Sequence, residues 1–184
     1  MPTVEHAIVF VVSYEDKDEQ QAIVDTGIDD YLVSSWPPGP GDAAKKWNLG
    51  YEQTEANGNP FVFTAADDIT FTPGWDVEIL KVAERTGAGM VGSNDQANPL
   101  VMRGRHSTHS LFSRAYIDTV GGTFFDGPGV VYATCYDHQF IDTESVKAAM
   151  DRGQWAFAMN SVVAHHHPIY DRTVAYDDTY RKAL

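Results

Sequence analysis

Two periodicities alternate along this chain. Ala7 to Val12 is an unbroken apolar run rich in Val and Ile, the pattern of a strand buried on both faces. A polar loop at Ser13 to Asp16 follows, then a modest helix to about Asp25 and a short strand at Tyr31 to Val33. Pro37, Pro38, Gly39, Pro40 and Gly41 make a segment that neither helix nor strand tolerates. The period then changes to that of a helix, with Ala44, Trp47, Leu49 and Tyr51 apolar and Asn57-Gly58 as its left-handed end. Pro60 to Ala65 reads as a strand. Thr72 and Pro73 suit the cap and first position of a helix whose apolar face is Trp75, Ile79, Val82 and Ala83, closed by Gly87 and Gly89.

The second half continues in the same way. Met90-Val91 and Ser107 to Ser113 read as strands, and Arg114 to Val120 as a short helix. Gly121 to Tyr136 is a loop rich in glycine and aromatic residues. Asp142 to Arg152 is a helix stopped by Gly153, and Trp155 to Met159 and Ser161 to Ala164 are the last strands. Strands alternating with helices predict one α/β domain over 1–184, Rossmann-like, with a mainly parallel central sheet flanked by helices. Its core spans about 7–168, and 169–184 forms a polar tail with the character of a short helix.

Composition narrows the chemistry. No apolar run reaches the roughly 18 residues of a membrane span, and no basic region with a signal core opens the chain, so the expected location is cytoplasmic. One cysteine, Cys135, excludes an internal disulfide and a thiolate zinc cluster, and its apolar surroundings predict a buried thiol. Any metal must therefore use oxygen and imidazole ligands. The net charge of −13 disfavours nucleic acid as a partner. Arg103, Arg105 and Arg114 are the few cations placed to meet a phosphate.

Three clusters carry candidate chemistry. The strand at Phe61 to Thr64 runs into Asp67-Asp68, and ligands of open α/β sheets bind at strand carboxyl ends. Two adjacent carboxylates there call for a cation, although acids before a helix are also common in solvated turns. In His165-His166-His167 the first and third imidazoles share a face of a strand and suit a metal. A polar exit of the chain explains the same run without a metal. In Tyr136 to Glu144, Asp142 is either a helix cap or a general base, and Glu144 suits the first turn of a helix.

Taken in order, these stretches resemble glycosyltransferase family 2 and its GT-A-fold relatives, in particular small phage and bacterial members. The similarity runs through Asn48-Leu49-Gly50, Thr64 to Trp75, Val91 to Asp95, Thr108 to Arg114 with Gly121-Gly122, Ile141 to Glu144 and Val162 to Pro168. It implies a GT-A domain that transfers a sugar from a nucleotide-sugar, most simply a UDP-sugar, with Mn²⁺ or Mg²⁺. The implied metal ligands are Asp68, His165 and His167. Val12, Ser13, Tyr14, Asn48 and Asp67 would bind the nucleotide-sugar. Asn94, Asp95, His109 and Tyr136 would meet the acceptor, which is a protein, a glycan or a modified nucleobase. Asp142 would take the acceptor proton, with inversion at the anomeric carbon. Two positions depart from the family pattern, since Ala66 and Ile141 stand where acids are usual. A metal-dependent hydrolase, or a non-catalytic relative that binds nucleotide or carbohydrate, remains as an alternative. Phe124, Phe125 and Tyr132 suit either a sugar platform or the core.

Overall fold

The apolar run at the start of the chain becomes a ladder strand only at Val11–Val12 (β1), where a parallel partner exists in Leu32–Val33 (β2), with Val11 opposite Leu32. A computed structural model describes residues 5, 7–28, 31–54, 58–137, 139–170 and 173. Between β1 and β2 lies α1 (Lys17–Asp25), capped by Asp16, whose side chain accepts the Glu19 amide at 2.8 Å. Helix α2 (Asp42–Gln53) starts at Gly41, which has φ +74°; a Cβ there would lie 2.4 Å from the Thr134 carbonyl oxygen, so glycine is required twice over. The helix is closed at Thr54, and most of the expected Asn57-Gly58 end lies outside the described residues.

The main sheet has five strands in the order β3-β6-β5-β7-β4. They are β3 (Phe61–Phe63), β4 (Ile69–Phe71), β5 (Met90–Asn94), β6 (Ser110–Ser113) and β7 (Trp155–His165). The expected mainly parallel, Rossmann-like sheet is not what forms. Only β5 and β7 pair in parallel; β3–β6, β5–β6 and β4–β7 are antiparallel. The physical reason is the connections. A parallel return needs a crossover of a dozen or more residues, usually a helix. The segment from Asp95 to His109 supplies turns only, so β6 returns antiparallel beside β5. Just five residues, 64–68, separate β3 from β4, which crosses to the far edge and pairs with β7.

Alternation of faces within the strands builds the core. Met90 and Phe112 pack with Ala44, Tyr51, Tyr116, Ile117, Ile141 and Val146, under α2, α4 (Arg114–Thr119) and α5 (Ile141–Asp151). Their neighbours Val91 and Leu111 point the other way and pack with Ile79 and Ala83 of α3 (Trp75–Thr86). Helices therefore lie against both faces of this mixed, mostly antiparallel sheet. Pro73 precedes α3, but Gly74 at φ +84° is the cap; the Thr72 hydroxyl instead donates to the Val162 carbonyl at 2.8 Å. The two expected final strands are one, with a register shift opposite Ser93 and Asn94 that takes up Met159 to Ser161 as a bulge. Cys135 is exposed rather than buried, because the loop carrying it turns outward after Ala133. Among the described residues no helix is long and apolar enough to cross a membrane. The expected tail helix at 171–184 lies outside the described residues, Thr173 excepted.

Candidate metal centre

One edge of the mixed sheet collects strand ends of both directions. The carboxyl ends of β3, β5 and β7 arrive there, and so do the amino ends of the antiparallel β4 and β6. Asp68 directly precedes β4, His109 directly precedes β6, and His165 ends β7. The ladder sets their spacing, since Ile69 pairs with His165 and the His166 amide donates to the Asp68 carbonyl at 2.8 Å.

Asp68, His109 and His165 each offer a ligand atom within 4.8 Å of the others, and among the described residues they form one group with that property. His165 Nε2 lies 2.9 Å from Asp68 Oδ2, and the rings of His109 and His165 meet edge to face at 5.1 Å. His109 is 3% exposed, and neither ring nitrogen has a hydrogen-bond partner of good geometry. The Thr64 backbone is only a weak electrostatic support. Burial first, and then the neighbouring His165, push its pKa from 6.5 to about 4, so the imidazole is neutral and able to ligate. Buried polar nitrogens without partners are rare, and a cation bound at this group would give one of them a partner. The donor set of one carboxylate and two imidazoles fits a divalent ion of the Mn²⁺ to Zn²⁺ series better than Mg²⁺, which prefers oxygen.

His167 stands apart from this group. Its ring is 5.3 Å from that of His165, and its Nδ1 accepts the Ile169 amide at 3.2 Å. His109, placed by the sequence beside the acceptor, joins the centre instead. The missed signal is topological: in an antiparallel return, the residue just before a strand sits at the same edge as the residue just after its neighbour.

A second pair stands beside the centre. His106, 9% exposed, places Nε2 3.1 Å from Asp142 Oδ2, and the Thr143 amide donates to Asp142 Oδ1 at 2.7 Å. Burial alone would raise the Asp142 pKa; the His106 hydrogen bond and charge, with Thr143, outweigh it and hold the carboxyl below its usual range. Asp142 in turn acts electrostatically on His109, so the two groups share one electrostatic environment. Asp142 lies within the first turn of α5 rather than at its cap. His106 carried no signal in the sequence, being a single histidine in a turn.

The residues expected to bind nucleotide-sugar divide in two. At the end of β1, Val12 is buried, and the Ser13 hydroxyl accepts from Lys46 Nζ at 2.7 Å; Lys46 also pairs with Asp42 at 3.3 Å. Exposed Asp67 contributes charge to the same corner: Glu19, raised first by burial and lowered by Lys46, is raised further by Asp67. Ser13 also lines a shallow open depression with Glu15, Asp16, Lys17, Asp18 and Pro38. Tyr14 is exposed, and its hydroxyl donates to Glu15 at 2.5 Å. Asn48 is committed elsewhere: its oxygen accepts the amides of Val131 and Tyr132, both at 3.0 Å, and its nitrogen donates to the Tyr132 carbonyl at 2.9 Å.

Of the expected acceptor residues, Asn94 and Asp95 are buried and organise the turn after β5. Asn94 donates to the Met159 carbonyl at 3.0 Å, and Asp95 accepts the amides of Ala97 and Asn98 at 2.9 and 3.0 Å. Tyr136 is half-buried, with its ring 6.3 Å from Phe125. Tyr132 belongs to the core at 1% exposed, where its hydroxyl meets Thr64 Oγ1 at 2.8 Å. Trp47 stacks near Tyr132 and donates to the Ala65 carbonyl at 2.8 Å, so both aromatics steady the segment that leads to Asp68. No protein-family model, curated protein or solved structure matches this chain.

Proposed function

We propose that the protein is a metal-dependent glycosyltransferase that moves a sugar from a nucleotide-sugar to an acceptor hydroxyl. The observation that carries this reading is the placement of Asp142, held ionised by His106, beside the Asp68–His109–His165 cluster at a single sheet edge. The reaction class in this proposal rests on the resemblance of the sequence motifs to family 2 glycosyltransferases, which no family match supports. A divalent ion bound by the three side chains would neutralise the diphosphate as it leaves, acting as a Lewis acid. In this reading Ser13, Lys46 and Asp67 would meet the nucleotide, with Lys46 supplying the positive charge in an otherwise acidic corner. Asp142 accepts the proton of the acceptor hydroxyl. Its low pKa suits a late transfer, because an oxygen already bonding to the anomeric carbon is strongly acidic. His106 and Thr143 fix the carboxylate so that it need not reorganise.

The test is thermal melting against nucleoside diphosphates and nucleotide-sugars, each with and without Mn²⁺. A donor at about 100 times its Kd adds roughly 2.7 kcal/mol of apparent stability. A shift that requires both one nucleotide-sugar and the metal is expected. A shift with metal alone, together with turnover of a substrate by water, would replace the proposal with a second reading. That reading, a metal-dependent hydrolase, is favoured by one observation: two imidazoles and a carboxylate adjoin a His106–Asp142 pair suited to handling a water proton.

A further inference from the structure

The carbonyl of His109 carries more hydrogen bonds than the ladder between β5 and β6 requires. The Ser93 amide reaches it at 3.2 Å, which continues the antiparallel ladder one step past the Gly92–Ser110 pair. Two side chains add to that bond. The Ser93 hydroxyl donates to the same oxygen at 2.7 Å, and the Ser107 hydroxyl donates to it at 2.6 Å. Ser107 Oγ also accepts the Ser93 amide at 3.1 Å, so one hydroxyl joins β5 to the turn that delivers His109. Ser93 is 2% exposed and Ser107 is fully buried. The sequence makes room for this contact. A Cβ on Gly92 would lie 2.6 Å from Ser107 Cβ and 2.5 Å from the Trp155 ring, so a larger residue there would push Ser107 off its place.

The imidazole of the same residue is held quite differently. Among the described residues neither ring nitrogen of His109 has a hydrogen-bond partner of good geometry, and the ring meets His165 edge to face at 5.1 Å. Histidines that bind a metal ordinarily take their orientation from the ring itself, by donating the second N–H to a carboxylate or carbonyl. At His109 the fixed part is the main chain, and a pinned carbonyl narrows the direction of the Cα–Cβ bond from which the ring hangs. The ladder amide already serves this oxygen, so the two hydroxyls answer no unmet bond on it. They add rigidity at the residue whose ring supplies one atom of the three-residue cluster. His165 is tied to the same strand end, its amide donating to the Asp95 carbonyl at 3.4 Å.

We propose that Ser107 is a positioning residue of the metal centre. Through the His109 carbonyl, with Ser93 on the same oxygen, it sets where the imidazole stands relative to Asp68 and His165. The assignment rests on the cluster binding an ion, as the proposed function requires, and is indifferent to the reaction that follows. Ligands must be held to within about 0.5 Å for a site to keep its affinity. Loss of a supporting hydrogen bond around a metal ligand typically lowers affinity roughly 10- to 100-fold.

The experiment titrates the whole chain with Zn²⁺ by calorimetry and with Co²⁺ by visible absorption, whose d–d bands report ligand geometry. Ser107→Ala is expected to weaken Zn²⁺ binding roughly 10- to 100-fold and to change the Co²⁺ bands. Ser34→Ala is the control, since it removes a comparably buried hydroxyl that donates to the Trp36 carbonyl just after β2, in the other sheet. Both readouts should stay at wild-type values in that variant. If Ser107→Ala does not fold, Ser93→Ala removes the other hydroxyl from the same oxygen and should weaken Zn²⁺ binding in the same direction. Wild-type affinity and unchanged Co²⁺ bands in the serine variant that folds would overturn the proposal. Equal weakening by Ser34→Ala would do so too, by tracing the effect to general stability. A wild type that binds neither ion would sink the metal centre and the positioning role with it, whereas a wild type that binds both, matched by Ser107→Ala, would sink the positioning role alone.

Discussion

His109 and His165 meet edge to face at 5.1 Å, yet one ring ends a long strand and the other precedes a short one. Their meeting depends on β6 running against β5 while β7 runs with it. The pair makes an electrostatic statement as well, since His165 is the second cause, after burial, that keeps His109 neutral.

That neutrality predicts a pH dependence of folding. The folded pKa of His109 lies at about 4, against 6.5 ordinarily. Its contribution is fully present above the ordinary value and declines as pH falls between the two, because the unfolded chain takes up a proton that the folded chain refuses. Up to ~3 kcal/mol is at stake over that window. Urea unfolding in the presence of a chelator should show stability falling from pH 7 to pH 4.5, and the slope should flatten in His109→Leu. An unchanged slope in that variant would assign the effect to other groups.

The same substitution separates ligation from stability. Replacing a buried nitrogen pair that lacks partners with an apolar side chain is expected to leave metal-free stability unchanged or to raise it by about 1 kcal/mol. The Mn²⁺ or Zn²⁺ melting shift should disappear. Calorimetric titration that still finds a normal Kd in His109→Leu would exclude His109 from the centre, whereas His167→Ala should bind metal nearly as the wild type does.

Asp142→Asn should cost on the order of 10²–10⁴ in kcat with little change in donor KM. His106→Ala is expected to cost less, about tenfold, by loosening the carboxylate. Steady-state kinetics with the donor found by melting measures both. Near-normal kcat in Asp142→Asn would remove the base assignment.

Asn48→Ala should destabilise the fold by roughly 2–3 kcal/mol, because it strands two loop amides and a carbonyl. Donor affinity should follow only through the loop. A variant with normal stability but a lost donor response would return Asn48 to the nucleotide.

Phe140→Gly offers the opposite trade, with a gain of about 1 kcal/mol from relieved strain at φ +70°. Differential scanning calorimetry on the metal-free protein reads this directly. A loss of stability instead would mean that the ring packs in solution.

Much of the fold was legible because local signals were strong. Asp16 caps its helix, Gly153 follows α5, and the apolar faces of α2 and α3 are buried as the period requires. Strand direction was not legible. It depends on what the residues between Asp95 and His109 do, and their Asn, Pro and Gly content marks turns without saying where the chain returns. That single uncertainty propagated into the site. Asp68 and His165 were recognisable from an acidic pair and a histidine run, whereas His109 and His106 acquire their places only when β6 reverses. Asn48 enters as a binding residue only through the resemblance of Asn48-Leu49-Gly50 to the family pattern, and its amide is spent instead on the Val131–Tyr132 loop.

Asp68 and His165 are 97 residues apart in the chain, and among the described residues the strand that carries His165 is the last one of the sheet in chain order. During synthesis, then, a site built on these two side chains would be incomplete until β7 has docked. A nascent chain stalled before Trp155 would lack it, and if a cation binds there, its acquisition would time-stamp the completion of the sheet.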